Sequence, residues 1–421
     1  MRSIRYLLLA CIIPVIPASL HAQNNLSLVE TLQAAQKNNP FLRPASLDIS
    51  IAQSDVITAG LRPNPVLNNQ TLQLLGTEHF QPGTNFYNSH NNQSWWQLTK
   101  EFQFSGQRKL KQEVANRNVV TAERNYADIE RNVLTSAGNK WLDVWFNKIN
   151  LTLVQEAKDN IDSLLKIQQI RLKNQVISSS ELLRTQLLLE QYQLQYRNAE
   201  QDYNNELQNL KLMIGRTDSI SINEKDTAIN YIATTRIDSL LQLSLQQRSD
   251  VQVVQSSIES AKSNIRLQRS LAKPVPELGV IYNPQNTIQY AGIYGTIPLP
   301  FFNRNQGEIR KSRLQLQQSE QSLSALQQQV QTEVQNAWRS FQLSRETMTK
   351  YRNIIEKSET VLQSVKYAYT RGGTTIIDFL DAQRTWFDTQ KMYYEALYNY
   401  RKNYLQLLSV TGLINQYTQV L

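Results

Sequence analysis

Apolar residues recur every seven positions along two long stretches that meet at Tyr369-Thr-Arg-Gly-Gly-Thr-Thr-Ile-Ile-Asp378-Phe-Leu-Asp381-Ala-Gln383. Ile309, Leu316, Leu323, Val330 and Ala337 mark the descending stretch, and Phe341, Met348, Ile355, Leu362 and Tyr369 continue it four residues further on. Phe379, Trp386, Tyr393, Tyr400 and Leu407 mark the return. A heptad sustained this long commits the chain to helices packed lengthwise on other helices. The Gly372-Gly373 pair interrupts the pattern with the backbone freedom a turn needs. The spacing therefore predicts a helical hairpin over 305–412, about 100 Å from root to tip at about 1.5 Å per residue.

The same hairpin occurs twice. An offset of 197 places Phe379, Trp386, Tyr393, Tyr400 and Leu407 on Leu182, Leu189, Tyr196, Tyr203 and Leu210, and also Trp338 on Trp141, Asp378 on Glu181 and Gln383 on Gln186. A constant offset across both arms and the tip is an internal repeat, predicting a first hairpin over 106–214. Aromatic residues at heptad spacing read as core.

Ahead of each hairpin lie shorter helical patterns, over 26–62 in the first half and 237–272 in the second. Between them the period changes from helical to alternating. In Ser94 to Phe104, Trp96, Leu98, Phe102 and Phe104 share one face and Trp95 lies on the other, with Lys100 breaking the apolar face near its middle. The second half has Glu277 to Tyr282, a turn expected at Asn283-Pro284-Gln285-Asn286, and then Ile288 to Leu299 with Tyr290 and Tyr294. Strands of about ten residues carrying tryptophan and tyrosine match transmembrane β-strands. Strand pairs are expected over 64–104 and 276–299. The first contains an elongated loop, Gly76 to Ser89, with His79 and His90 expected to be exposed nearby. Four strands leave open edges that lipid cannot satisfy, so several chains must contribute to one barrel.

Met1 to Ala22 reads as an export signal: Arg2 and Arg5 precede the apolar Leu7 to Ile16, and Leu20-His21-Ala22 offers a cleavage site. The single cysteine, Cys11, lies inside it, so the expected mature chain has no thiol for a disulfide or a thiolate metal site. Residues 23–215 form the first repeat, 216–236 a polar linker expected as an ordered loop outside the helices, and 237–421 the second repeat with a tail from 413. The formal charge of +9 falls to +7 without Arg2 and Arg5 and is spread along the helices, a solvated face rather than a nucleic-acid site. Prolines outside the leader lie only within Pro40 to Pro82 and Pro274 to Pro300, leaving long uninterrupted helical tracts. A negative mean hydropathy excludes a polytopic helical membrane protein, though not a β-barrel.

The order of parts resembles the TolC-type outer membrane factors, the exit ducts of Gram-negative tripartite efflux pumps. The resemblance covers the mature chain and includes Phe-Asn-Arg-Asn-Gln-Gly at Phe302 to Gly307. Its sharpest motif is the second tip, with Tyr369, Gly372, Asp378, Leu380, Asp381 and Ala382. The resemblance implies a mainly α fold with a β membrane part: a homotrimer whose twelve strands form one outer-membrane barrel above a helical periplasmic tunnel. It implies a periplasmic adaptor and an inner-membrane pump as partners, the latter of the resistance-nodulation-division type. It also implies a gate at Asp378, Asp381, Tyr369, Glu181 and Arg371, and docking tips at Gln175, Val176, Ile177, Ser178, Gly372, Gly373, Thr374 and Thr375. The membrane strands would carry Trp95, Trp96, Leu98, Phe102, Tyr282, Tyr290 and Tyr294. Some members have an arginine where this chain has Thr374, so their closing salt bridge is not available here.

No cofactor is expected, and an enzyme is the weakest reading, since no nucleophile elbow, phosphate loop or metal-ligand spacing occurs. Asp378 and Asp381 have a plain alternative as helix-start residues that complement the helix dipole. For the whole chain the alternative is a secreted structural coiled coil or adhesin, which explains the heptads but not the strand pairs inserted at equivalent points of both halves.

Overall fold

The structure is a computed structural model that describes residues 25–226, 236–285 and 288–418. The export signal with Cys11, most of the later linker and residues 419–421 lie outside the described residues.

The chain opens with a two-residue strand, β1 (Asn25–Leu26), and helix α1 (Leu28–Asn38). Ser27 caps α1 in a capping box: its hydroxyl accepts from the Glu30 amide at 3.2 Å, and Glu30 accepts from the Ser27 amide at 2.8 Å. That cap starts the helix at Leu28 and leaves Leu26 to the strand. Helix α2 (Leu42–Gly60) leads into β2 (Val66–Gln73), and two 3-10 turns, Thr77–His79 and Ser89–Asn91, precede β3 (Asn92–Glu101). The first hairpin is α3 (Gln107–Lys173) with α4 (Ser179–Ile214). After β4 (Ser221–Ile222), the second repeat runs α5 (Ile237–Gln247), α6 (Ser249–Leu271), β5 (Glu277–Gln285), β6 (Ile288–Thr296), α7 (Gln306–Thr370) and α8 (Ile376–Val410), followed by the short α9 (Ile414–Tyr417).

The long helices α3 and α7 have 67 and 65 residues, spanning about 100 Å each. The heptad positions face inward: Val330, Ala337, Phe341, Tyr369, Phe379 and Leu407 are buried. The duplication reaches the backbone. Gly215 (φ 63°) and Gly412 (φ 75°) occupy left-handed positions just beyond α4 and α8, and each abuts the end of the short helix opening its own repeat. A Cβ on Gly215 would stand 2.2 Å from the Asn38 carbonyl oxygen, so only glycine fits.

The main core lies at mid-length, where Trp141, Trp145, Leu210, Ile214, Leu405 and Leu407 pack with Leu32, Leu240 and Val251 from the short helices. The linker enters this core instead of lying outside it. Strand β4 pairs in parallel with β1, and Ile220 and Ile222 are buried, because their apolar side chains complete the packing around Leu26. Beside the core an ionic network ties the repeats together. The Arg248 guanidinium grips Asp250 at 2.6 and 3.0 Å and Glu333 at 2.5 Å within the second repeat, and Arg131 of the first repeat reaches across to Asp250 at 3.6 Å while holding Asp128 at 2.8 Å.

The four-stranded antiparallel sheet has the order β2-β3-β5-β6. Its register aligns Leu67, Leu98, Val280 and Ile293 in one cross-strand row, and Asn69, Trp96, Tyr282 and Ala291 in the next. Leu67, Leu98, Val280 and Ile293 are 64, 49, 59 and 89% exposed, an apolar face with no cover within the chain. The opposite face carries Asn68, Gln97, Ile281 and Gly292, then Gln70, Trp95, Asn283 and Tyr290.

Three details differ from the sequence reading. Phe102 lies one residue beyond β3: its amide donates to the Pro276 carbonyl at 2.9 Å, but proline has no N–H to return the bond, and pairing stops. Lys100 therefore sits at the strand's rim, not at the middle of the apolar face. The expected turn at Asn283–Asn286 is displaced too. Asn283, Pro284 and Gln285 pair with Tyr290, Gln289 and Ile288, while the β3 side of the ladder passes over Asn283 and Pro284. Finally, His79 is exposed, but His90 is half-buried with a ring nitrogen 2.8 Å from Asn88 Oδ1.

Candidate functional site at the hairpin tips

Both hairpins turn with the same backbone motif. At the second tip Gly372 is left-handed (φ 77°), the Gly373 amide donates to the Ala368 carbonyl at 2.9 Å and the Gly372 amide to the Tyr369 carbonyl at 3.1 Å. At the first tip Gln175 takes the left-handed position (φ 61°), with its own amide on Leu172 and the Val176 amide on Arg171, both at 2.9 Å. These are paired Schellman endings, and the side chain at Gln175 bears a strain that Gly372 avoids. Val176, Gly372, Gly373 and Ile377 are exposed, as are Gln175, Ser178 and Thr375, while Ile177 and Thr374 are half-buried.

Asp378 is placed by the start of α8. Thr375 and Asp378 form a capping box, with the Thr375 hydroxyl, the Thr374 hydroxyl and the Thr375 amide donating to Asp378 Oδ2 at 2.6, 2.7 and 3.0 Å. The bond from the Thr375 side chain, then those from Thr374 and the Thr375 amide, holds this exposed carboxyl below its ordinary range. Thr374 and Thr375 thus serve Asp378 directly. Asp381, one turn on, is also exposed.

Tyr369 is buried at 8% exposure and stacks on Phe379, with centroids 5.2 Å apart and planes 3° from parallel. Its hydroxyl has no hydrogen-bond partner among the described residues, so it does not bond to Glu181 within the chain. Glu181 is half-buried in the first turn of α4, its amide 3.4 Å from the Ser178 hydroxyl that caps the helix. Arg371 lies over the exposed Tyr367 ring at 4.3 Å, engaged there rather than on Tyr369. The cation that does meet Tyr369 is Arg171, 5.0 Å from the ring centroid. Nothing local singles out Arg171 in the sequence, since it meets Tyr369 only when the hairpins pack.

Of the strand residues, Trp96, Leu98 and Tyr282 share the apolar face, whereas Trp95, Tyr290 and Tyr294 lie on the other. Among the described residues no helix is long and apolar enough to cross a membrane, and no group of His, Cys, Asp and Glu could hold a metal ion.

Residues 240–413, nearly the whole second repeat, match the family model for outer membrane efflux proteins. Over that stretch, less than half of its length, the chain is similar to the outer membrane efflux proteins. It is 20% identical over 392 residues to the probable outer membrane lipoprotein SilC of Salmonella typhimurium, covering 90% of this chain and 84% of that protein. It is 21% identical over 280 residues to the outer membrane protein TolC of Salmonella enteritidis, covering 64% of this chain but 52% of that protein, about half the relative's length. The open state of the MtrE outer membrane channel of Neisseria gonorrhoeae has the same fold, with a TM-score of 0.73 at 16% identity over 92% of this chain and 89% of that one. The predominantly helical chain thus carries its β-sheet and its tips at opposite ends of the long hairpins.

Proposed function

We propose that this protein is an outer membrane efflux protein, the exit duct of a tripartite efflux system, carrying substrates passively across the periplasm and the outer membrane. The observation that carries this reading is the sheet. Among the described residues it presents an uncovered apolar row to one side and a more polar face to the other, and its outer strands β2 and β6 have no neighbour beyond them. A sheet of this kind is stable in lipid only when closed. β2 and β6 run antiparallel, so β6 of one copy and β2 of the next continue the alternation. Three copies joined head to tail give an even, twelve-stranded barrel, with the polar face lining the lumen. The protein resides in the outer membrane with its hairpins in the periplasm, where the tips present Gln175, Val176, Gly372, Gly373 and Thr375 to a periplasmic adaptor and an inner-membrane pump of the resistance-nodulation-division type.

The tips form the gate. Threefold assembly would bring three copies of Asp378 and Asp381 to one entrance, where rings of negative charge favour cations and repel one another. Tyr369 and Glu181 flank this entrance and are not bonded to each other inside one copy. The energy for export comes from the pump; the duct performs no covalent chemistry.

Reconstitution tests the reading. Purified protein in lipid nanodiscs should give threefold particles, and in planar bilayers it should give discrete conductance steps. A detergent-free soluble monomer without conductance would overturn it and favour a structural coiled coil.

A further inference from the structure

We infer that the protein has a binding cleft for a planar organic anion between its two hairpins, near the tips. The cleft, about 520 Å³, has three walls: the α3 face through Leu164, Ile167 and Arg171, the α7 face ending at Tyr369, and the α8 face with Phe379, Gln383 and Trp386. Such a volume suits a drug-sized molecule.

Three buried polar atoms lining it lack any hydrogen-bond partner among the described residues: the Tyr369 hydroxyl, Gln383 Oε1 and Trp386 Nε1. Tyr369 and Gln383 are 8% and 7% exposed. Buried polar groups normally find partners, so three in one cleft point to a ligand that supplies them. The repeat sharpens the point. At the equivalent first-repeat positions Tyr369, Phe379 and Trp386 are replaced by Leu172, Leu182 and Leu189. A coiled coil at these positions needs only leucine; the Tyr369 hydroxyl and the Trp386 N–H belong to the second hairpin alone, whereas Gln383 keeps a counterpart in Gln186.

The donors fix the ligand class. Tyr369, Trp386, Arg171 and Lys366 offer hydrogens and two positive charges, against one acid, Glu359, and one free acceptor, Gln383 Oε1. The stacked Tyr369 and Phe379 rings give a flat apolar wall. An aromatic sulfonate or carboxylate with one N–H donor satisfies all of these. Because the cleft spans both hairpins, a bound molecule would hold them together; that effect on opening rests on the duct reading, whereas the site does not.

The probe is 8-anilinonaphthalene-1-sulfonate, titrated into the assembled protein in lipid nanodiscs and read by directly excited fluorescence. The expected result is a saturable rise near one probe per chain, an affinity weakened about three- to tenfold by Tyr369→Phe through loss of one hydrogen bond, and no saturable rise in the triple variant Tyr369→Leu, Gln383→Leu, Trp386→Leu. At 369 and 386 that variant introduces the leucines the first repeat carries as Leu172 and Leu189, and unchanged helical circular dichroism would establish that it folds. Equal fluorescence from wild type and triple variant would overturn the site, including the case in which a neighbouring copy fills the cleft. Saturable binding with no change in conductance would overturn the effect on opening alone.

Discussion

At the residue scale, Asp378 performs two tasks with one carboxylate. Three donors, the Thr374 and Thr375 hydroxyls and the Thr375 amide, converge on its Oδ2, and its own amide donates back to the Thr375 hydroxyl at 3.2 Å, leaving its charge exposed at the tip. The folded carboxyl titrates below its ordinary value of 3.8, so its contribution to the turn is complete above that value and is lost as pH falls through the lower, folded one. The double variant Asp378→Asn with Asp381→Asn keeps an acceptor for Thr374 and Thr375 while removing both charges. Block of single-channel current by divalent or trivalent cations should weaken at least about tenfold in this variant. In the wild type, block should persist as pH falls to about 4, because Asp378 remains charged there. Unchanged block in the variant would remove the acidic entrance. The sequence showed Asp378 and Asp381 as helix-start residues, but the Thr375 cap itself came only with the structure. So did the Arg171–Tyr369 contact, since those side chains meet only through tertiary packing.

At the scale of elements, helices and strands were legible to different degrees for a physical reason. Helix periodicity is local, so the heptads located α3, α4, α7 and α8, and the glycine turn located the second tip. Strand limits depend on the neighbour: Pro276 cannot donate to the ladder, which leaves Phe102 outside β3, and pairing with β6 draws Asn283, Pro284 and Gln285 into β5. Alternation did predict two faces, but only the register shows that Leu67, Leu98, Val280 and Ile293 form a continuous row. Ile293→Lys should therefore cost about 2–4 kcal/mol if the row lies at the bilayer midplane and reduce the assembled protein recovered from outer membranes. Gln97→Lys on the opposite face should assemble normally and alter only conductance and ion preference. Equal loss for both variants would contradict the assignment of faces.

At the scale of the molecule, Arg248 fastens the short helices of the second repeat to its long hairpin, and Asp250 links that cluster to Arg131 of the first repeat at 3.6 Å. The Arg248 side chain is 4% exposed and joins Asp250 at the start of α6 to Glu333 on α7, with the Val410 carbonyl at the end of α8 at 3.4 Å. Burial opposes the charge on Asp250, yet the Arg248 hydrogen bonds and nearby Arg131 hold its carboxyl below the ordinary range. The network is complete above an ordinary pH of 3.8 and weakens as pH falls through the depressed folded value. Arg248→Ala leaves Asp250 with Arg131 alone and Glu333 without its cation, and should destabilise the chain by about 1–3 kcal/mol, measured as earlier thermal loss of helicity at neutral pH. A shift in melting no larger than that of an exposed control such as Arg310→Ala would show that the network is not a fastening. By itself the sequence determined the duplicated unit, the heptad hairpins, the alternating strands and the turn at Gly372, because each is written in spacings of a few residues. Only the tertiary structure decided which sheet face is continuous, that the linker enters the core, and that Arg171 covers Tyr369. Those outcomes depend on surfaces brought together from residues nearly two hundred positions apart, a distance over which no local periodicity carries information.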